Sequence, residues 1–170
     1  MSEARAGEFP IAERIHIIGV GSPHGDDRLG WFAAEALLGS SVLRGFGHQA
    51  VAVSLSDRPG LMLLELARDS SKLILLDAVC AGVRPGTLHR LDAQALTAGS
   101  GLLSSHGFGI AAALELGRLT GSLPPKVVIF GLEIADTRES AGEGLSRAVR
   151  EALPKLIDEV ECEVAASFTP

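Results

Sequence analysis

Cysteine is scarce in this chain, with two in 170 residues. Cys80 and Cys162 lie far apart and make no ligand-spaced pair, which excludes a disulfide scaffold and a cysteine-rich metal knot. They read as buried thiols in a reducing compartment. Long hydrophobic runs are missing too. The apolar stretches at 15–20 and 73–78 are far too short to span a bilayer, and the N-terminal MSEARAGEFPIAER has no core of signal-peptide length. A soluble, cytoplasmic protein with no membrane partner is expected. Basic residues do not dominate: 15 Lys and Arg stand against 21 Asp and Glu, for a net charge of −6. That argues against a general nucleic-acid binder. Also lacking are internal repeats, low-complexity tracts, linkers and a G-x-S-x-G nucleophile elbow; Ser22 precedes a proline instead of opening a helix.

What is present is an apolar content of 46%, enough to cover a two- or three-layer core without a disulfide or a structural metal. The length fits a single domain over 1–170, with a core from about 14 to 161. Ile15–Val20 is a continuous β-branched run that stops at glycine, as a buried parallel strand does. Leu29, Phe32, Ala33, Ala36 and Leu37 recur at helical spacing, and Gly39 can end that helix. Further strands are expected over Gln49–Leu55, Lys72–Ala78, Thr87–Leu91 and Lys126–Leu132, and further helices over Leu61–Arg68 and Ser105–Leu119. Leu145, Ala148, Val149, Ala152, Leu153, Leu156, Ile157 and Val160 mark one face of a long last helix. Pro154 falls on its other face and predicts a kink or two shorter helices. The stretch before Ile11 and the tail after Val164 are expected to be loosely held. Strands alternating with helices, the strands almost wholly apolar, give an α/β fold: a three-layer sandwich with a mostly parallel twisted sheet flanked by helices on both faces.

Three polar clusters stand at the ends of these elements. The first is G-V-G-S-P-H-G-D-D-R-L-G, Gly19 to Gly30, directly after the first strand. The second is Asp77, closing the apolar run of the third. The third is Ser104-Ser105-His106, ahead of a helix. In an open α/β sheet ligands bind beyond the carboxyl ends of the strands, so neighbouring strand ends would bring Asp26, Asp27, Asp77 and His106 to one crevice. Carboxylates plus an imidazole suit a divalent ion such as Ni²⁺ or Zn²⁺ with open coordination positions.

Blander readings exist for each cluster. The spacing G-x-G-x-x-x-G is a near miss of the dinucleotide fingerprint, and adjacent aspartates would repel a pyrophosphate. Asp26 and Asp27 also suit a helix start, and a strand-end Asp77 can cap local amides. His106 can be a helix-start histidine with a satisfied hydrogen bond. His16, His24, His48 and His89 have no comparable context, although His24 sits inside the first loop. Glu133 ends another strand, where it would meet substrate or solvent. Cys80, close to Asp77, has no feature that would lower its pKa.

Taken in order, these features resemble the hydrogenase maturation protease family. Its opening G-x-G-N loop with paired acids and a glycine is similar to Gly19–Gly30, its Asp-Ala strand end with a later P-G-T to LILLDAVCAGVRPGTL, its S-x-H to Ser104-Ser105-His106, and its G-[IL]-[EQ] to Gly131-Leu132-Glu133. The resemblance implies a metal-assisted endopeptidase that removes the C-terminal peptide of the large-subunit precursor of a nickel-iron hydrogenase. It places metal ligands on Asp27, Asp77 and His106; on chemical grounds a bound cation would polarise the scissile carbonyl or a water, with Asp26 or Asp27 as general base. Nickel would be carried by the precursor, with zinc or cadmium as crystal stand-ins, and a monomer is expected. The chain departs from the pattern at Ser22 in place of asparagine, at Arg28 in place of glycine, and in a loop one residue shorter before the acids. Rival readings are a non-catalytic accessory protein that binds nickel or the precursor, a nucleotide-binding α/β protein, and an unrelated metal-dependent hydrolase.

Overall fold

Apolar residues alternate between two cores along the central strands, and that alternation fixes the layers. In β1 (Ile15–Gly21) Ile15 and Ile17 belong to one core and Ile18 and Val20 to the other. In β3 (Lys72–Cys80) Ile74 and Leu76 divide from Leu73 and Leu75 in the same way, as do Val128 and Phe130 from Val127 and Ile129 in β6 (Lys126–Glu133). Strands that bury both faces need helices on both faces. On one side lie α1 (Leu29–Leu38), α2 (Ser41–Phe46) and α5 (Arg147–Ser167); on the other lie α3 (Met62–Ala67) and α4 (Gly107–Thr120). This computed structural model describes residues 14–93, 103–104, 107–135 and 144–169.

The sheet runs β2-β1-β3-β6-β4, with β2 at Val51–Asp57 and β4 at Leu88–Asp92. β1 is parallel to β2 and to β3, and β3 is parallel to β6; β4 alone on this path is antiparallel, against β6. A short strand, β5 (Leu103–Ser104), pairs antiparallel with Val79 and Cys80 of β3. The expected mostly parallel, two-sided α/β sheet is therefore the observed one. From β1 the chain passes to β2 on one side, and from β3 to β6 on the other. The gap beyond the carboxyl ends of β1 and β3 is thus a topological switch point, where open α/β sheets take their ligands.

Several expectations are corrected. The last helix is one element through Pro154 and not two shorter helices. Pro154 and Arg150 both lie on its exposed side, where water can take up the carbonyl that proline leaves without a donor. The tail is not loose as far as Phe168: Val164 is fully buried and the Phe168 ring stacks on Phe46 with centroids 4.8 Å apart. Cys162 is exposed, because the buried stripe Val149, Leu156, Val160 and Val164 turns it outward, and Cys80 is half-buried. The added helix α2 starts at Ser40, whose hydroxyl accepts the Leu43 N–H at 3.1 Å, an N-cap unread in the sequence.

Candidate functional site

Glycine builds the pole of the sheet where β1 and β3 end. A Cβ on Gly30 would stand 2.0 Å from the Val20 carbonyl oxygen and 2.4 Å from that of Leu76. The first turn of α1 is therefore wedged against both strands, directly ahead of Asp77. A Cβ on Gly19 would meet the Gly30 oxygen at 2.1 Å, and one on Gly21 would meet the Trp31 indole at 2.8 Å. Trp31 in turn donates its indole N–H to the Ser56 carbonyl at 3.0 Å, tying α1 to the end of β2. Gly19 and Gly21, which resemble a phosphate loop in sequence, serve here to let backbone and indole approach.

Between β1 and α1 the acids lie on a single 3₁₀ turn, Gly25–Arg28. The Asp27 N–H bonds the His24 carbonyl at 3.0 Å, and the Asp27 carbonyl accepts the Ser22 N–H at 3.1 Å. The Ser22 hydroxyl, buried, reaches Oδ2 of Asp27 at 3.5 Å, a long contact that holds the side chain weakly. Asp26 is 1% exposed, and its Oδ1 accepts the Ser146 N–H at 2.6 Å, just ahead of α5. Oδ2 of Asp26 and Oδ1 of Asp27 are buried and meet no hydrogen-bond partner among the described residues. Such oxygens are costly to leave bare, and a cation is one partner that suits them. Arg28 follows, its guanidinium 5.1 Å from the centroid of the Phe32 ring.

Asp77 is also 1% exposed, and its Oδ1 accepts the N–H of Ala78 at 2.8 Å. By strand alternation it faces the layer of Leu73 and Leu75, the one that α4 covers. Helix α4 begins at Gly107, the residue after His106. The β5 pairing sets Ser104 against Val79, two positions beyond Asp77. The backbone that leads into the third motif is thus fastened to the strand end that carries the second. Ser105 and His106 themselves lie outside the described residues. Within those residues no three His, Cys, Asp or Glu side chains form a group able to hold a metal ion.

Two residues with little apparent context in sequence are tightly engaged. Glu133 does not meet solvent: at 1% exposure it accepts the N–H groups of Ala81, Gly82 and Val83 at 2.7–3.1 Å and the His89 Nε2–H at 3.0 Å. His16 donates from Nδ1 to the Leu66 carbonyl at 2.7 Å and accepts the Ser54 hydroxyl at Nε2, 2.9 Å away. Burial pushes its pKa down, opposed by the Leu66 hydrogen bond and assisted by Arg14. Neither partnership leaves a short-range sequence signal, since the residues joined stand 38 to 52 positions apart.

Comparison with known proteins gives one consistent answer. The family profile described as HycI, hydrogenase maturation protease, matches residues 59–163. That span takes in Asp77, His106 and Glu133 and begins after the Gly19–Gly30 loop. The hydrogenase expression/formation protein HoxM of Cupriavidus necator is 31% identical over 101 residues, 58% of this chain and 50% of that protein. HupD of Rhizobium leguminosarum bv. viciae, of the same description, is 26% identical over 152 residues, 88% of this chain and 73% of that one. The alignment thus spans half the length of HoxM and about three quarters of HupD. Among solved structures the hydrogenase maturating endopeptidase HybD of E. coli superimposes with a TM-score of 0.74 at 24% identity, covering 91% of this chain and 94% of that one. The [NiFe] hydrogenase maturation protease HybD of Thermococcus kodakarensis gives 0.66 at 19% identity, covering 89% and 99%. At those identities the structures speak for the fold.

Proposed function

Because the chain belongs to the hydrogenase maturation protease family, we propose that it is the endopeptidase that trims the C-terminal extension from the nickel-loaded large-subunit precursor of a nickel-iron hydrogenase, acting in the cytoplasm. The observation that carries this reading is the pair of buried carboxylate oxygens without a hydrogen bond among the described residues, on Asp26 and Asp27, at the switch point between β1 and β3. Asp77 stands on the adjoining strand end, equally buried.

Nickel belongs to this scheme as cargo of the precursor, part of the substrate. Asp27 is the better ligand of the acidic pair. Oδ1 of Asp26 is committed to the Ser146 N–H, whereas the Asp27 side chain has, among the described residues, only a 3.5 Å contact from Ser22. With Asp77 and the His106 imidazole it makes the set of two carboxylates and one nitrogen that a borderline ion accepts. Bringing the precursor's ion to these ligands presents its tail to the crevice, so that cleavage follows metal loading. Hydrolysis needs a polarised carbonyl and a base to take a proton from water. The Asp26–Asp27 turn supplies the base, with Asp26 holding the turn in register.

The test is cleavage of nickel-loaded and nickel-free precursor by wild type and by Asp27→Ala, Asp77→Ala and His106→Ala. The proposal expects wild type to process only the loaded form, and each variant to lose at least 100-fold in rate. Binding of loaded precursor without any cleavage would instead identify a non-catalytic accessory protein.

A further inference from the structure

We infer that Glu133 is a positioning residue for this cleavage: it fixes the turn after β3, and through that turn the strand end that carries Asp77. The inference rests on the proposed function and deepens it. Its ground is the number of ties that meet at one residue. Oε1 of Glu133 accepts N–H groups from Ala81 at 2.9 Å, Gly82 at 2.7 Å and Val83 at 3.1 Å; Oε2 accepts from Ala81 at 3.1 Å and from His89 at 3.0 Å. The Glu133 backbone takes the far side of the same loop, its carbonyl accepting from Gly86 and its N–H donating to Thr87, both at 2.8 Å. One residue therefore gathers the whole of segment 81–87.

Thr87 closes the second half of that segment, its N–H and hydroxyl both donating to the Arg84 carbonyl, but the first half, 81–83, has little besides Glu133 to shape it. Gly82 and Val83 are exposed, Val83 at 48%, so apolar packing does not fold the turn. Gly82 stands at φ 77°, in the left-handed region, and consecutive N–H groups converge on a carboxylate as they do in an anion-binding nest. A buried carboxylate demands such donors, and the donors in turn take their geometry from it.

The clamp adjoins the crevice. Val79 of β3 is paired with Glu133 on one side and with Ser104 on the other, and its carbonyl accepts the Ile134 N–H at 2.9 Å. Cys80, the residue before the clamped turn, is paired with Leu103. Slack in the turn is passed to the one stretch of β3 that both follows Asp77 and anchors the segment leading to His106. A residue that served stability alone would not change turnover once the fold is intact.

The experiment compares wild type, Glu133→Gln and Gly82→Ala for kcat and KM on nickel-loaded precursor, with hydrogen exchange at the amides of 81–83. Glu133→Gln keeps the volume and one acceptor oxygen. Gly82→Ala strains the same turn at its positive φ while its Cβ meets nothing within 4 Å, so it carries the test if the first variant fails to fold. Expected are at least tenfold faster exchange at 81–83, a kcat about tenfold lower and a KM within twofold of wild type. Wild-type kcat in a variant whose turn exchanges faster overturns the inference and leaves the protease reading standing, as does exchange unchanged in Glu133→Gln. Failure of wild type to cleave overturns the protease reading, and the inference with it.

Discussion

Asp26, in the crevice loop, accepts a 2.6 Å hydrogen bond from the backbone N–H of Ser146, 120 residues along the chain. The bond fastens the start of the last helix to the switch point between β1 and β3. It also divides two neighbouring acids that sequence leaves equivalent. One oxygen of Asp26 is committed to that backbone N–H, whereas Asp27 has only the long Ser22 contact among the described residues, and each acid keeps one bare oxygen.

From this division we predict opposite phenotypes. Asp26→Ala removes a buried acceptor and bares the Ser146 N–H, a loss of about 1–3 kcal/mol in unfolding free energy. Asp27→Ala breaks only a 3.5 Å contact among the described residues and is expected to leave stability within about 1 kcal/mol while abolishing processing. Urea unfolding beside the cleavage assay checks both. Equal stability losses in the two variants would show that the acids share one role.

Gly30 gives a second expectation. Its missing Cβ is occupied by the carbonyl oxygens of Val20 and Leu76, at 2.0 and 2.4 Å, and backbone cannot swing aside as a side chain does. Gly30→Ala must lift the first turn of α1 off both strands, at a cost of about 3 kcal/mol or more. Gly45→Ala is the control, since its Cβ meets nothing within 4 Å; in the last turn of α2 it should be neutral or slightly stabilising. Thermal melts of the pair decide the point.

These two positions show what sequence could and could not supply. The apolar runs of β1, β3 and β6 are buried on both faces, so periodicity alone pointed to a parallel sheet, and chain order put Gly19–Gly30 and Asp77 at strand ends. Which acid does what was illegible. It depends on Ser146, 120 positions distant, and local pattern carries no such information. The clamp on Glu133 was hidden for the same reason, being made by backbone amides that any sequence possesses. Strand β5 is two residues long, too short for alternation to register. Cys162 was misjudged because a general preference of cysteine for the interior gave way to its place on the outer side of α5.

A third prediction concerns His16, which bridges β1, β2 and α3 as a neutral ring. Burial lowers its pKa from 6.5, so below 6.5 the unfolded chain binds the proton more readily. The stability this ring contributes is complete above pH 6.5 and is lost as pH falls from there through the folded pKa. His16→Gln removes that titration. Urea unfolding at pH 7.5 and 5.5 should therefore show a larger drop for wild type than for the variant. Equal drops would mean that protonation of this ring is not resisted by the fold.

The last prediction lies at the opposite pole of the sheet, where Glu163 of α5 is held by Lys72 at the start of β3 and by Arg90 of β4, the latter at 2.9 Å. Lys72 is buried at 6% and also donates to the Ser167 hydroxyl at 2.8 Å. Burial works to raise the Glu163 pKa, but the hydrogen bonds from Arg90 and Lys72 outweigh it and leave the carboxyl below 4.5. A depressed carboxylate stabilises the fold above its unfolded pKa, and this contribution is lost as pH falls through the folded one. Glu163→Gln keeps the shape and removes the charge, leaving buried Lys72 with the hydroxyl and a neutral amide. A loss of about 2–3 kcal/mol at pH 7 is expected, because one uncompensated buried charge costs more than the pair contributes. The difference between wild type and Glu163→Gln should shrink toward pH 3, where the wild-type carboxyl is itself protonated in a growing share of molecules. A difference that stays constant from pH 7 to 3 would assign the effect to packing against α5 and not to the ion pair.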